Sequence, residues 1–260
     1  MKSRVMAALV IVFLLSVTTT AQAHFGMVIP SEPTVMETSK ANLNVQLKFW
    51  HPFENKGMNL VKPKSFQVFH GDRKTDLLSG LKEKKEAGFT VWETEYKLAK
   101  PGLYVFVMEP EPYWEKEEDC FIIHYTKVYV DAFGDDEGWD EALGLKTEII
   151  PLSKPTGLYA GNVFQGRVML NGQPVPGGEV EVEWYPGEGQ EGRAPYETMI
   201  TQTVKADDSG IFTYAVPASG WWGFAALNTA DYQLTESGQD KNVELGAVIW
   251  VYFHEFKAAQ

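Results

Sequence analysis

The stretch Ala41-Asn-Leu-Asn-Val-Gln-Leu-Lys-Phe-Trp50 has the clearest strand pattern in the chain. Side chains of a β-strand point alternately to its two faces, so apolar residues at every second position predict a strand with one face in the core. His51 continues the inward-facing set, and Pro52 ends the strand because it has no N–H to donate. The inward-facing apolar residues are Leu43, Val45, Leu47 and Phe49.

Comparable segments follow along the whole chain, and together they predict an all-β protein. Turn sequences separate them, among them Pro101-Gly102 and Asn171-Gly172, a pair typical of a tight hairpin. Both faces of the strand predicted over residues 120–130 are largely apolar, so we expect burial on both sides. No segment has a helical period of convincing length. Further strands are predicted over residues 64–70, 89–98, 103–108, 162–170, 180–185, 199–206, 211–216, 220–227 and 243–256.

A proline-punctuated segment near the middle of the chain predicts a domain boundary. Pro151 and Pro155 flank residues in which few backbone pairs can form. We therefore predict an N-terminal β-sandwich over residues 24–152, a linker over 153–157 and a second sandwich over 158–260. The second half, with its hairpin at Asn171-Gly172 and its Asp207-to-Gly210 turn, resembles the small Ig-like sandwiches of the transthyretin or carboxypeptidase-regulatory type.

The first 23 residues have the three parts of an export signal. Lys2 and Arg4 precede a short apolar run over residues 7–17, and Ala21 and Ala23 supply the small residues of a cleavage site. The run is too short to span a bilayer comfortably, and no later stretch approaches about 20 apolar residues. We predict an exported protein without direct membrane insertion. Cleavage after Ala23 would make His24 the first residue, and cleavage after Ala21 remains the alternative.

Charge and cysteine content exclude several classes of partner and site. The net charge is -12, and loss of Lys2 and Arg4 with the signal makes it -14, which argues against binding to nucleic acid or anionic lipid. Cys120 is the only cysteine, so the chain contains no internal disulfide and no site built on two or more of its own thiolates. The sequence also lacks a nucleophile elbow and a phosphate-binding Gly-Lys-Ser loop, and we predict no enzymatic activity.

A leading histidine is the feature of the sequence that most strongly suggests a metal-binding site. It offers a metal both its free α-amine and its imidazole Nδ1 in one chelate ring, and with cleavage after Ala21 a histidine at the third position would bind Cu(II) or Ni(II) in a square plane. His51 lies at the end of the predicted strand, after its inward-facing residues and before a loop. His124 lies in the middle of a predicted strand, where the alternative to metal binding is a buried histidine of the core. His70 and His254 are predicted to be exposed to solvent. No short-spacing histidine motif is present, so a metal site must be assembled by the fold.

Three blocks resemble one family of exported metal-uptake proteins. They are Ala23-His-Phe-Gly-Met-Val-Ile-Pro-Ser31, Phe49-Trp-His-Pro-Phe-Glu54 with Gly57-Met58 after it, and Ile122-Ile-His-Tyr-Thr-Lys-Val128. The family is the additional periplasmic component of nickel and cobalt energy-coupling-factor (ECF) transporters, a domain of unknown function. The resemblance implies that His24, His51 and His124 bind Ni(II), with Co(II) or Cu(II) as alternatives, for delivery to a membrane ECF-type transporter subunit.

Two other functions stay open at this stage. A leading histidine on a β-sandwich is also found in copper monooxygenases that cleave polysaccharides, although the remaining pattern of those enzymes is absent. The second half alone is typical of a structural or surface module that binds no metal.

Because imidazoles and the α-amine must lose protons to bind, metal affinity is expected to fall below about pH 6 to 7.

Overall fold

A computed structural model describes residues 24–258, and the predicted export signal over residues 1–23 lies outside them. The described residues form strands and three short 3₁₀ turns, without an α-helix, which confirms the all-β class. No helix long and apolar enough to cross a membrane occurs in this part of the chain. The turns are Thr38–Lys40, Leu78–Gly80 and Glu197–Met199. The strands are β1 (Phe25–Pro30), β2 (Thr34–Val35), β3 (Asn42–His51), β4 (Lys56–Met58), β5 (Ser65–His70), β6 (Arg73–Asp76), β7 (Lys82–Glu86), β8 (Phe89–Lys97), β9 (Gly102–Glu109), β10 (Tyr113–Glu115), β11 (Cys120–Ala132), β12 (Thr147–Pro151), β13 (Leu158–Tyr159), β14 (Val163–Leu170), β15 (Gln173–Pro174), β16 (Glu179–Tyr185), β17 (Gln202–Lys205), β18 (Ile211–Ala215), β19 (Gly220–Thr229), β20 (Leu234–Glu236) and β21 (Gln239–His254).

A large central sheet lies between two smaller sheets. Its main strands run in the order β17-β16-β19-β21-β11-β9-β5-β6, and β2, β10, β13 and β20 pair at its margins. One outer sheet has the order β1-β3-β8-β7, with β4 paired to β3, and the other contains β12, β14, β15 and β18. Each outer sheet contributes to a separate apolar core with one face of the central sheet.

Alternation along the central strands supplies both cores. On β9, Phe106 and Met108 point into the first core, whereas Val105 and Val107 point into the second. On β11, Ile122 and the following alternate residues lie on the first-core side, and Tyr129 belongs to the second core. The predicted burial of this strand on both faces is confirmed.

Strands from both halves of the chain are neighbours in the central sheet. The strands β11 and β21 pair in parallel from Cys120 opposite Asn242 to Val128 opposite Trp250. The predicted linker over residues 153–157 lies between β12 and β13, which pair into different sheets. The two predicted domains thus share one sheet here, and their separability and the transthyretin-like type of the second stay predictions.

Candidate functional site

Pairing of β1 with β3 places His24 beside His51. Phe25 pairs with Trp50 in antiparallel register, so the next position outward brings the two histidines together. Their ring centroids lie 4.6 Å apart, and the His24 side chain is only 12% exposed. All of β1 is buried, which anchors the residue directly before it. The His24 side chain is therefore held against its neighbours.

A carboxylate from β10 also contacts His24. Glu115 Oε2 lies 3.0 Å from His24 Nε2, and Glu115 Oε1 accepts a hydrogen bond from the Glu117 N–H at 3.0 Å. Residues 109–119 are acidic and rich in Pro, Tyr and Trp, a composition that predicts a loop, and this prediction is wrong for Tyr113–Glu115, which pair with β11. The aromatic pair Tyr113-Trp114 was the available sign, because such residues are enriched in strands.

His124 occupies a separate, fully buried position. Its Nδ1 accepts a hydrogen bond from the Gly26 N–H at 3.2 Å, and its Nε2 lies 3.3 Å from Glu244 Oε1. Since a backbone N–H must donate, Nδ1 is the unprotonated nitrogen and Nε2 carries the proton toward the Glu244 carboxylate. Both ring nitrogens of His124 are thus engaged within the protein.

The ring of Phe49 separates His124 from the other two histidines. Phe49 stacks on His24 with centroids 5.5 Å apart and meets His124 edge-on at 5.7 Å. Within residues 24–258, no three His, Cys, Asp or Glu side chains are grouped so that they could hold a metal ion. The fold places His24 against His51 and also against the Glu115 carboxylate, and it places His124 against the edge of the Phe49 ring.

The remaining histidines have their own neighbours and are half-buried, unlike the solvent-exposed positions predicted for them. His70 stacks on Tyr104 at 4.2 Å, and its Nε2 lies 3.0 Å from the Pro101 carbonyl oxygen. His254 packs against Tyr252 at 4.9 Å, and burial lowers its pKa.

Negative charge is concentrated around Glu244, the residue that contacts His124. Burial and then the Glu244 carboxylate raise the pKa of Glu118, and the same two causes, in that order, raise the pKa of Glu181 to about 8. Burial together with Glu244 also raises the pKa of the Cys120 thiol to about 11, which keeps it protonated at neutral pH. The acidic residues Glu117, Glu118 and Asp119 are themselves exposed to solvent, as predicted for a cluster of carboxylates in a polar segment. Such a field favours cations over anions.

Comparison with known proteins assigns the chain to a family. The sequence profile of a family described as a domain of unknown function, DUF4198, matches residues 21–230. The chain belongs to this family. The match covers all the residues of the site described above except Glu244. No curated protein matches the sequence.

Solved structures similar to this DUF4198 protein are distant. The D0-D1 domain of intimin is 12% identical, over 88% of this chain and 100% of that one, with a TM-score of 0.26. Trypsin-activated α2-macroglobulin from Escherichia coli is 11% identical, over 88% of this chain and 16% of that one, with a TM-score of 0.27. The I9–I11 tandem from titin is 11% identical, over 88% and 66%, with a TM-score of 0.22. At these TM-scores the similarities provide no basis for inferring function.

Proposed function

We propose that this DUF4198 protein captures Ni(II) or Co(II) in the periplasm and passes the ion to a membrane ECF-type transporter. The observation that supports the proposal is the contact between the His24 and His51 rings, 4.6 Å apart, with Glu115 against the first of them. Imidazole nitrogens are ligands that suit nickel and cobalt. The surrounding carboxylates would raise the local concentration of cations.

The position of Glu115 favours the chelate expected for a leading histidine. A carboxylate 3.0 Å from His24 Nε2 holds a proton on that nitrogen and leaves the lone pair on Nδ1. Nδ1 is the nitrogen that closes a ring with the α-amine once the chain starts at His24. The proposed donors are therefore the amine and Nδ1 of His24 and one nitrogen of His51. Water or a further protein group would complete the coordination.

His124 would have a different role from His24 and His51. It becomes a ligand only by giving up its hydrogen bond to the Gly26 N–H or to Glu244. Until then it supports the site indirectly, because its Nδ1 holds the first residues of β1 in place. Replacement of His124 should thus affect both β1 and metal binding, whereas replacement of His51 should affect binding alone.

Titration calorimetry of the tag-free mature protein tests the proposal. Ni(II) or Co(II) should bind to one site, and His24→Ala and His51→Ala should each weaken binding by at least about tenfold, while His70→Ala serves as the control and binds normally. A protein that starts at Ala23 keeps every side chain but lacks the His24 amine, so it should also bind more weakly. Nickel uptake by cells carrying the transporter should depend on the same residues.

Two outcomes would replace the proposal. Oxidation of ascorbate by the copper-loaded protein would favour the copper enzyme. Failure of Ni(II), Co(II) and Cu(II) to bind would favour the structural module, the alternative consistent with the lack of a three-residue metal cluster among residues 24–258.

A further inference from the structure

A pocket of about 300 Å³ lies next to the histidine site, between the outer sheet that contains β3 and the central sheet. Phe49 and Leu60 line it from one side, and Met108, Ile122 and His124 line it from the other. The segment over residues 110–114 covers it. Phe49 therefore contacts His24 of the histidine pair and also lines the pocket.

The walls of the pocket are otherwise tightly packed. Met108 has no exposed surface, and Ile122 and Phe49 are only 2% and 5% exposed. An unfilled apolar cavity lowers stability in proportion to its volume, and apolar walls give water few partners. A pocket of 300 Å³ is at the lower end of the range for small-molecule sites and has about twice the volume of a cavity that accepts benzene. Its size corresponds to two fused rings.

The chemistry of the lining selects an uncharged ligand. The ionisable groups among the lining residues are few, and the ring nitrogens of His124 already bond to Gly26 and Glu244. The one carboxylate of the lining, Glu111, is exposed to solvent, so a charged ligand group inside the pocket would lose its hydration without gaining a buried partner. Phe49 and Tyr113, with centroids 4.9 Å apart and rings tilted by 58°, offer aromatic edges and faces to a ligand.

We propose that this pocket binds an uncharged bicyclic aromatic molecule of about the size of indole. Val61, a lining residue that is 58% exposed, places one edge of the pocket at the protein surface. The inference does not depend on metal binding, and its test contains no metal.

Methyl NMR of the wild-type mature protein with labelled methionines, in buffer containing EDTA, tests the proposal with indole as the probe. The Met108 methyl signal, assigned with Met108→Leu, should shift saturably with a dissociation constant below about 1 mM. The signals of Met169 and Met199, which lie outside the lining, should stay in place. Met108→Trp fills the pocket and should weaken binding at least about tenfold. Met199→Trp, at a position 47% exposed, is the matched control and should bind indole as the wild type does.

Two results would overturn the inference. One is a Met108 signal that does not move as indole is added up to about 5 mM, a concentration well above the dissociation constant expected if indole fills the pocket. The other is an equal shift of all methionine signals, which would indicate nonspecific association. If Met108→Trp does not fold, as judged by circular dichroism, the wild-type titration alone decides the question.

Discussion

Replacement of the buried Glu183 by Gln should stabilise the protein in a way that depends on pH. Glu183 lies on β16 and is 1% exposed. Its Oε2 accepts a hydrogen bond from the Phe53 N–H at 3.3 Å, and its Oε1 accepts one from the Thr201 hydroxyl. Gln keeps the shape of the side chain. Its amide oxygen can still accept from the Phe53 N–H, and its NH₂ group can donate to the Thr201 hydroxyl oxygen.

The direction and size of the effect follow from the pKa of Glu183. Burial raises this pKa from 4.5 to about 7, against the opposing effect of the two hydrogen bonds. Between these values the folded state holds more protons than the unfolded state, so stability falls as the pH rises through this window and then levels off. At about 1.4 kcal/mol for each pKa unit, the charged Glu183 costs about 3 kcal/mol at pH 8. The Glu183→Gln protein would avoid this cost, whereas at pH 4.5 the two proteins should be nearly equal in stability.

Urea unfolding of the wild type and Glu183→Gln between pH 4.5 and 8 measures this difference. Glu179→Gln is the matched control, because Glu179 lies on the same strand with its side chain 58% exposed beside Lys205. It should leave the pH dependence unchanged. A Glu183→Gln protein that is no more stable than the wild type at pH 8, or a difference that is constant over the whole range, would refute the reasoning.

Three further predictions concern the buried ion pair, the first strand and metal affinity. Lys127→Ala should lower the free energy of unfolding by about 3 to 5 kcal/mol, because Glu148, 3% exposed and 2.8 Å from Lys127 Nζ, would keep a buried charge without its partner. Denaturant unfolding checks it, and a loss below about 1 kcal/mol, the scale of an exposed pair, would contradict it. Gly26→Ala should cost about 1 to 3 kcal/mol, since an added Cβ would overlap Thr126 Oγ1 and lie 3.0 Å from His124 Cβ; a thermal midpoint equal to that of the wild type would contradict this. Ni(II) affinity should fall as the pH drops below about 6 to 7, because protons compete for imidazole and amine nitrogens. Calorimetry at several pH values checks this, and an affinity independent of pH would exclude His24 as a ligand.

Local patterns were sufficient to predict most of the longer strands, but not β1, β7 or β10. The alternation from Leu43 to Phe49 predicted β3 to within one residue of its bounds, and the apolar faces of residues 120–130 predicted the doubly buried β11. These predictions succeed because burial of alternate side chains depends on residues close together in the chain. The parallel pairing of β11 with β21 has no such local sign, since it joins residues about 120 positions apart.

The site was visible in the sequence only in part, and the register of β1 explains why. A shift of one residue would turn His24 to the opposite face, away from His51. Two distant side chains hold the register: His124 Nδ1 accepts the Gly26 N–H, and Trp250 Nε1 donates to the Gly26 carbonyl oxygen at 2.8 Å. These contacts span 98 and 224 residues, beyond the reach of any periodicity. His24 can be recognised in the sequence as a candidate, but strands far along the chain determine what it faces. For this reason we expect substitutions at Trp250, far from any metal donor in sequence, to disturb the position of His24.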